Sequence, residues 1–220
     1  MNLNFAFSLF AAYLLGSIPF AYLIARVVKG IDLRTVGSLN VGGRNLTRNL
    51  GYAWGFSGGA LDVAKGFAAM ALARGLGVDY PLAYYAGMAA VAGHTWPVWL
   101  GFRGGKGLAT ALGALLWVEP TVGLAGFVVA MLILATTGNI LLTALTGFLS
   151  WFAAIALLGL DPQLHLYVLG LFAVVLAASF PDILHKLRTS GGVRDYMQNP
   201  NKVYEIDEAR RKAAAEEKES

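Results

Sequence analysis

Residues 3–25 read LNFAFSLFAAYLLGSIPFAYLIA and carry no charged side chain. As a helix, that run is long enough to cross about 30 Å of hydrocarbon. A cleaved signal peptide normally has a basic start and a shorter apolar core. Here no Lys or Arg precedes Arg26, so the run reads as a retained first helix with its N-terminus outside. Pro19 predicts a kink within it. The rest of the chain agrees: 57% of residues are apolar and 14% charged, against about 45–50% and about 25% in soluble domains. A soluble globule of 220 residues would have nowhere to put so much apolar surface. The expected fold is an all-α, polytopic membrane helical bundle. Without cysteine there is no disulfide framework, thiolate nucleophile or cysteine-ligated metal. His94, His165 and His185 are far apart and form no zinc spacing, so neither metal nor organic cofactor is expected. The net charge of +4 fits basic cytoplasmic loops beside anionic lipid and anionic substrates, not nucleic acid.

Six further apolar stretches follow, at 51–76, 81–102, 107–118, 121–137, 139–159 and 163–183. Glu119-Pro120 divides what would otherwise be one very long helix, since proline disfavours helix at the residue before it. With seven segments, every Lys and Arg except Lys65 and Arg74 falls on the same side as the C-terminus. Asp79, Glu119 and Asp161 fall in the opposite turns, which hold no base. The positive-inside rule then sets the N-terminus outside and the C-terminus in the cytoplasm of a cell (inner) membrane protein. The segment 107–118 would rise only about 18 Å and is expected as a half-span among its neighbours. Residues 1–187 are taken as the membrane domain and 188–220 as a charged cytoplasmic tail. The end of that tail, IDEARRKAAAEEKES from Ile206, has too few large apolar residues to pack a core and is expected as a solvated or frayed helix.

Three constellations could carry chemistry. GSLNVGGRN (37–45), followed by Arg48, places three glycines, two asparagines, a serine and two arginines at a membrane boundary. Glycines let backbone N–H groups converge on an anion, and Ser38, Asn40, Asn45 and the arginines can bind phosphate oxygens. The plain alternative is a polar loop carrying topology signals. RGGKG (103–107) is a glycine turn with a lysine at a predicted helix start, a ready anion site. It lacks the spacing of a nucleotide P-loop, so ATP binding is not expected; the alternative is a short cytoplasmic turn. Asp62 and Lys65 lie three apart on one helical face, about midway along a span, where charges are costly and mark function by default. They could equally be a neutralising ion pair that orders the bundle. His94, just before the Gly-Gly-Lys turn, is a candidate general base or a satisfied structural histidine.

GSLNVGGRNLTRNLG, LDVAKG and AGHTWPVWLGFRGGKGLAT, in this order and spacing, resemble the bacterial acyl-phosphate:glycerol-3-phosphate acyltransferases. Gly93 to Thr110 fits the family pattern G-H-x-x-P-x-x-L-x-F-x-G-G-K-G-x-A-T at every marked position. Asp62, Lys65 and Gly66 fit D-x-x-K-G, whereas Leu39, Gly43 and Arg44 depart from the first loop's usual pattern. Beyond residue 115 the likeness loosens. Ser179 and Asp182 stand where the family carries histidine and asparagine, and Thr136-Thr-Gly-Asn-Ile140 replaces a basic-aromatic patch. The resemblance implies acyl transfer from acyl phosphate to the 1-hydroxyl of glycerol 3-phosphate, releasing phosphate and lysophosphatidic acid. Catalytic roles fall on Ser38, Lys106 and His94. Substrate binding falls on Gly37, Asn40, Gly42, Asn45, Arg48, Asp62, Lys65, Gly104, Gly105, Gly107 and Thr110. The implied partners are both substrates, membrane lipid and an enzyme that produces the acyl phosphate. The two glycine loops are expected to meet at one cytoplasmic-facing cleft, with the heads of Asn45, Arg48 and Lys106 around a phosphate-sized space.

Two rival readings stand beside this one. A catalytically altered member would bind lipid or a partner, and a small transporter would use Asp62–Lys65 as a coupling pair. Transporters usually show inverted repeats with broken helices in matching positions, and none is found here. The charge distribution itself makes a testable statement. A reporter fused after Ser220 should be active only in a cytoplasmic format; activity in an extracellular format would overturn the seven-segment topology.

Overall fold

The computed structural model describes residues 3–200 and 202–219, and among them every regular element is helical. In chain order these are α1 (Leu3–Ser17), α2 (Phe20–Lys29), α3 (Gly43–Leu50), α4 (Tyr52–Gly75), α5 (Tyr84–Thr95), a 3-10 turn (Val98–Leu100), α6 (Leu108–Val118), α7 (Pro120–Thr137), α8 (Ile140–Leu157), α9 (Gln163–Ser190), α10 (Val193–Gln198) and α11 (Lys202–Glu219). Two compact units result, one ending at Ala178 and one starting at Ser179. The boundary falls inside α9, ahead of the 187/188 division expected from charge alone.

Each of the seven apolar stretches holds a helix. Among the described residues, four helical runs are long and apolar enough to cross a membrane: Leu3–Lys29, Pro120–Thr137, Ile140–Leu157 and Gln163–Ser190. Leu108–Val118 is a shorter apolar helix. The chain is thus a multi-pass membrane protein. A seven-span path through α4, α5 and the half-length α6 remains our proposal for its topology.

Proline and asparagine punctuate the first unit. At Pro19 the expected kink is a full break: φ −91° and ψ 69° lie outside the helical region, so α1 stops at Ser17 and α2 starts afresh. Pro120 opens α7 at its first turn, where its missing N–H is no loss. Asn139 caps α8, its Oδ1 accepting from the N–H groups of Leu141 at 3.0 Å and Leu142 at 3.3 Å.

The helices that carry the site pack through small residues. A methyl on Gly66 of α4 would strike the Thr110 carbonyl oxygen of α6, and one on Gly113 of α6 would strike the Val63 carbonyl of α4. Gly16 and Gly93 let α1 and α5 approach in the same reciprocal way. In lipid, where apolar surface gains little by leaving its surroundings, such close backbone approach supplies the packing that holds helices together. Around these contacts Met70, Ala90, Val91, Ala111, Leu115 and Leu171 form a buried core. Tyr167 stacks on Tyr84 with ring centroids 4.5 Å apart.

In the second unit the burial lies ahead of Ile206: Tyr196, Val203 and Lys186 are buried, whereas the described side chains from Ile206 onward are half-buried or exposed along α11, as expected for a solvated helix. Lys186 Nζ pairs with Asp182 at 2.9 Å and lies 5.1 Å from the Tyr204 ring centroid, a cation–π distance. His185 and Asp207 pair at 2.9 Å.

The glycine packing can be tested directly. Gly66→Ala should cost about 1–3 kcal/mol, because its methyl meets rigid backbone. Gly59→Ala, on the same helix but facing open space, should be neutral or stabilising. Thermal unfolding midpoints in detergent should separate the two.

Candidate active site

The first loop, between α2 and α3, is organised from inside by one side chain. Asn45 sits in the first turn of α3 with 0% exposure. Its Nδ2 donates to the carbonyls of Leu33 (3.0 Å), Val36 (3.1 Å) and Asn40 (3.1 Å). Its Oδ1 accepts from the Ser38 N–H at 3.0 Å and from Asn49 Nδ2 at 3.2 Å. Gly37, at φ +57°, must be glycine because a Cβ would run into that same Oδ1. Asn45 therefore folds the loop, and its amide is fully engaged. Where the sequence suggests a phosphate contact, the structure shows an amide bonded to groups of its own loop and helix. Ser38 and Asn40 remain half-buried, and Arg48 is exposed in the last turn of α3.

Arg34 adds stiffness at the loop's start. Its guanidinium pairs with Asp32 at 2.7 Å. The hydrogen bond it donates holds the Asp32 carboxyl below the usual carboxylate range.

The Gly-Gly-Lys turn folds back on the end of α5. The Gly104 N–H donates to the Thr95 carbonyl at 3.0 Å and the Gly105 N–H to the His94 carbonyl at 3.1 Å. These bonds satisfy carbonyls that a helix end leaves over. Both N–H groups thereby have acceptors within the protein; so has that of Gly42, which donates to the Asn40 carbonyl at 3.1 Å. What glycine provides here is closeness. A Cβ on Gly104 would strike the His94 carbonyl, and one on Gly105 would strike His94 Nε2. Gly107, at φ +79°, then turns the chain into α6. Lys106 is half-buried between them.

The two loops meet. The Val41 N–H donates to the Gly104 carbonyl at 3.5 Å, and Arg34 Nη1 donates to the Leu100 carbonyl at 3.4 Å. Beneath them lie Asp62 and Lys65, each 2% exposed, and His94, 8% exposed. Asp62 Oδ1 is 2.8 Å from Lys65 Nζ and 3.3 Å from His94 Nδ1. Lys65 also donates at 2.9 Å to the Ile18 carbonyl, at the break made by Pro19. Asp62 and Lys65, which the sequence offers either as site residues or as an ordering ion pair, are both buried and engaged with protein groups. A carboxylate on Nδ1 fixes the imidazole's orientation and tautomer, leaving Nε2 beside Gly105. The Thr110 side chain is fully buried, and its Oγ1 has no hydrogen-bond partner among the described residues.

Two arginines tie the site to distant parts of the chain: Arg34, which the sequence does not single out, and Arg44, which it offers for phosphate. Arg34 ties the first loop to the turn before Gly104, and Arg44 donates to the Gly138 carbonyl between α7 and α8. Nothing in the sequence signals contacts between residues so far apart. Among the described residues, no group of three or more His, Cys, Asp or Glu is placed to hold a metal ion.

A family model described as glycerol-3-phosphate acyltransferase matches residues 6–189. Glycerol-3-phosphate acyltransferase 4 of Dehalococcoides mccartyi is 39% identical over 166 residues, covering 74% of this chain and 89% of its own. The glycerol-3-phosphate acyltransferase of Aquifex aeolicus is 45% identical over 142 residues, covering 64% and 73% respectively. Among solved structures, PlsY (YgiH), an integral membrane glycerol 3-phosphate acyltransferase, superposes in its glycerol 3-phosphate form with a TM-score of 0.75 at 37% identity, covering 84% of this chain and 92% of that one. Its lysophosphatidic acid form gives a TM-score of 0.73 at 34% identity.

The buried charges generate a stability prediction. Asp62→Ala leaves the Lys65 ammonium without its carboxylate and should cost about 3–5 kcal/mol. Removing both charges, as Asp62→Leu with Lys65→Met, should cost less than Asp62→Ala alone. Unfolding of the three proteins in detergent gives the comparison, and a double variant weaker than Asp62→Ala would contradict it.

Proposed function

We propose, from the premise that this chain belongs to the glycerol-3-phosphate acyltransferase family, that it acylates the 1-hydroxyl of glycerol 3-phosphate with acyl phosphate as donor. The hydroxyl oxygen attacks the acyl carbonyl carbon and a new C–O ester bond forms. The C–O bond to phosphate breaks, and phosphate departs with the electron pair. Lysophosphatidic acid is the other product.

The observation that carries this reading is the junction of the two loops above one buried carboxylate–histidine pair. Ser38, Asn40 and Arg48 come from the first loop and Lys106 from the second; together they offer polar and cationic groups to two phosphate-bearing substrates. Acyl phosphate is already activated, so positioning and charge stabilisation suffice and no covalent acyl-enzyme is needed. His94 Nε2 takes the hydroxyl proton, while Asp62 at Nδ1 holds the ring and stabilises its charged form. Asn45, Asp62 and Lys65 act by keeping these groups in place. We place the protein in the cell (inner) membrane, N-terminus outside and C-terminus cytoplasmic. An enzyme that makes acyl phosphate is its natural partner.

Purified protein given acyl phosphate and labelled glycerol 3-phosphate should form labelled lysophosphatidic acid. A folded protein that forms none would leave lipid or partner binding as its role. Lys106→Ala should keep the fold and lose about ten- to a hundred-fold in kcat/KM, because a hydrogen bond to a charged group is worth about 1.5–3 kcal/mol. Unchanged kinetics in that variant would remove Lys106 from the site.

A further inference from the structure

Among the described residues, two that are not glycine have a backbone φ in the left-handed region: Leu39 at 60° and Phe102 at 62°. That region is disfavoured for any residue with a Cβ, and a large apolar side chain has no local hydrogen bond to offset the cost. Both side chains are nevertheless exposed, Leu39 at 48% and Phe102 at 59%. The strain therefore does not serve to bury them. Each stands in one of the two site loops, and both positions fall between the same two cross-links. Arg34 to the Leu100 carbonyl closes one end, and Val41 to the Gly104 carbonyl closes the other. Over those short segments the paired loops hold Leu39 and Phe102 outward.

The surroundings say what such side chains meet. Trp99 is 62% exposed, and Val98 and Trp96 are exposed beside it. Tyr13 of α1 donates to the Trp96 carbonyl at 2.7 Å, which attaches this aromatic turn to a lipid-crossing run. Val27 and Val28, at the end of that same run and ahead of the first loop, are exposed as well. The aromatic turn is thus held against a lipid-crossing run, and the exposed end of that run precedes the first loop. Arg103 is exposed next to Phe102. Tryptophan with basic residues is the composition of the headgroup boundary, where amphipathic rings and cations both find partners.

We propose that Leu39 and Phe102, with Trp99, form a ledge that inserts into the headgroup–acyl boundary of the bilayer and holds both site loops at that depth. The strained backbone keeps the apolar side chains out of the protein and in the lipid, and Arg103 meets anionic headgroups. This inference rests on exposure, backbone geometry and position, and does not depend on the reaction proposed above.

The absence of native cysteine makes the test direct. Leu39→Cys and Phe102→Cys are labelled singly with an environment-sensitive fluorophore and reconstituted in vesicles of phosphatidylethanolamine and phosphatidylglycerol. Ala213→Cys, exposed on α11, is the aqueous reference. Lipids with a nitroxide near the headgroup should quench both loop labels strongly and the reference label little, whereas iodide in the buffer should do the reverse. Loop labels quenched by iodide as strongly as the reference would overturn the ledge. So would labels shielded from both quenchers, which would put these side chains in a protein pocket, or labels quenched best by a nitroxide at the chain end. Should the cysteine variants fail to fold, the native tryptophans decide. Trp99→Phe should remove a large part of the emission quenched by shallow brominated lipid, and an unchanged quenched fraction would overturn the proposal.

Discussion

The carboxylate of Asp62 is the constraint around which the first unit is arranged. A charge at that depth is tolerable only with partners, and its two lie on different parts of the fold. Lys65 comes from one turn along α4, and His94 from the end of α5. Lys65 in turn reaches the Ile18 carbonyl at the α1–α2 break. One buried group thus ties three segments together. Around it, glycines let α4 approach α6, and α1 approach α5, at backbone distance.

From that base the two loops above gain their shape by different means. The first is folded around the Asn45 amide, which replaces the regular ladder that an irregular loop lacks. The second is a helix end capped by its own returning glycines. Both leave their cationic and hydroxyl groups at the rim while backbone donors are used within. Within these motifs Asn45, Gly104, Gly105 and Asp62 are bonded to groups that shape the loops, while Ser38 and Lys106 are half-buried and Arg48 is exposed.

Departures from the family pattern acquire physical content here. Leu39 occupies a left-handed position that glycine would fill without strain, and its side chain is exposed. Arg44 is bonded to the Gly138 carbonyl, so two altered stretches touch one another. Asp182 pairs with Lys186 inside the second unit.

The helical membrane class, the positions of the apolar segments, the break at Glu119-Pro120 and the kinship of the Asp62, His94 and Lys106 motifs were legible in the residues. All of these follow from local chemistry: a charge-free run must be a helix in lipid, proline lacks an N–H, and motif spacing is written along the chain. Sequence could not tell binding groups from building groups. Asn45 and Arg48 look equally fit for phosphate, yet one is enclosed by carbonyls of its own loop and the other is exposed. Nor could it show that Arg34 reaches Leu100, that Arg44 reaches Gly138, or that Lys186 pairs with Asp182 and faces the rings of Tyr196 and Tyr204. Those outcomes depend on which carbonyls and rings the folded chain brings within hydrogen-bond or van der Waals reach. Residues distant in sequence meet there for reasons of packing alone, and only the tertiary structure decides them.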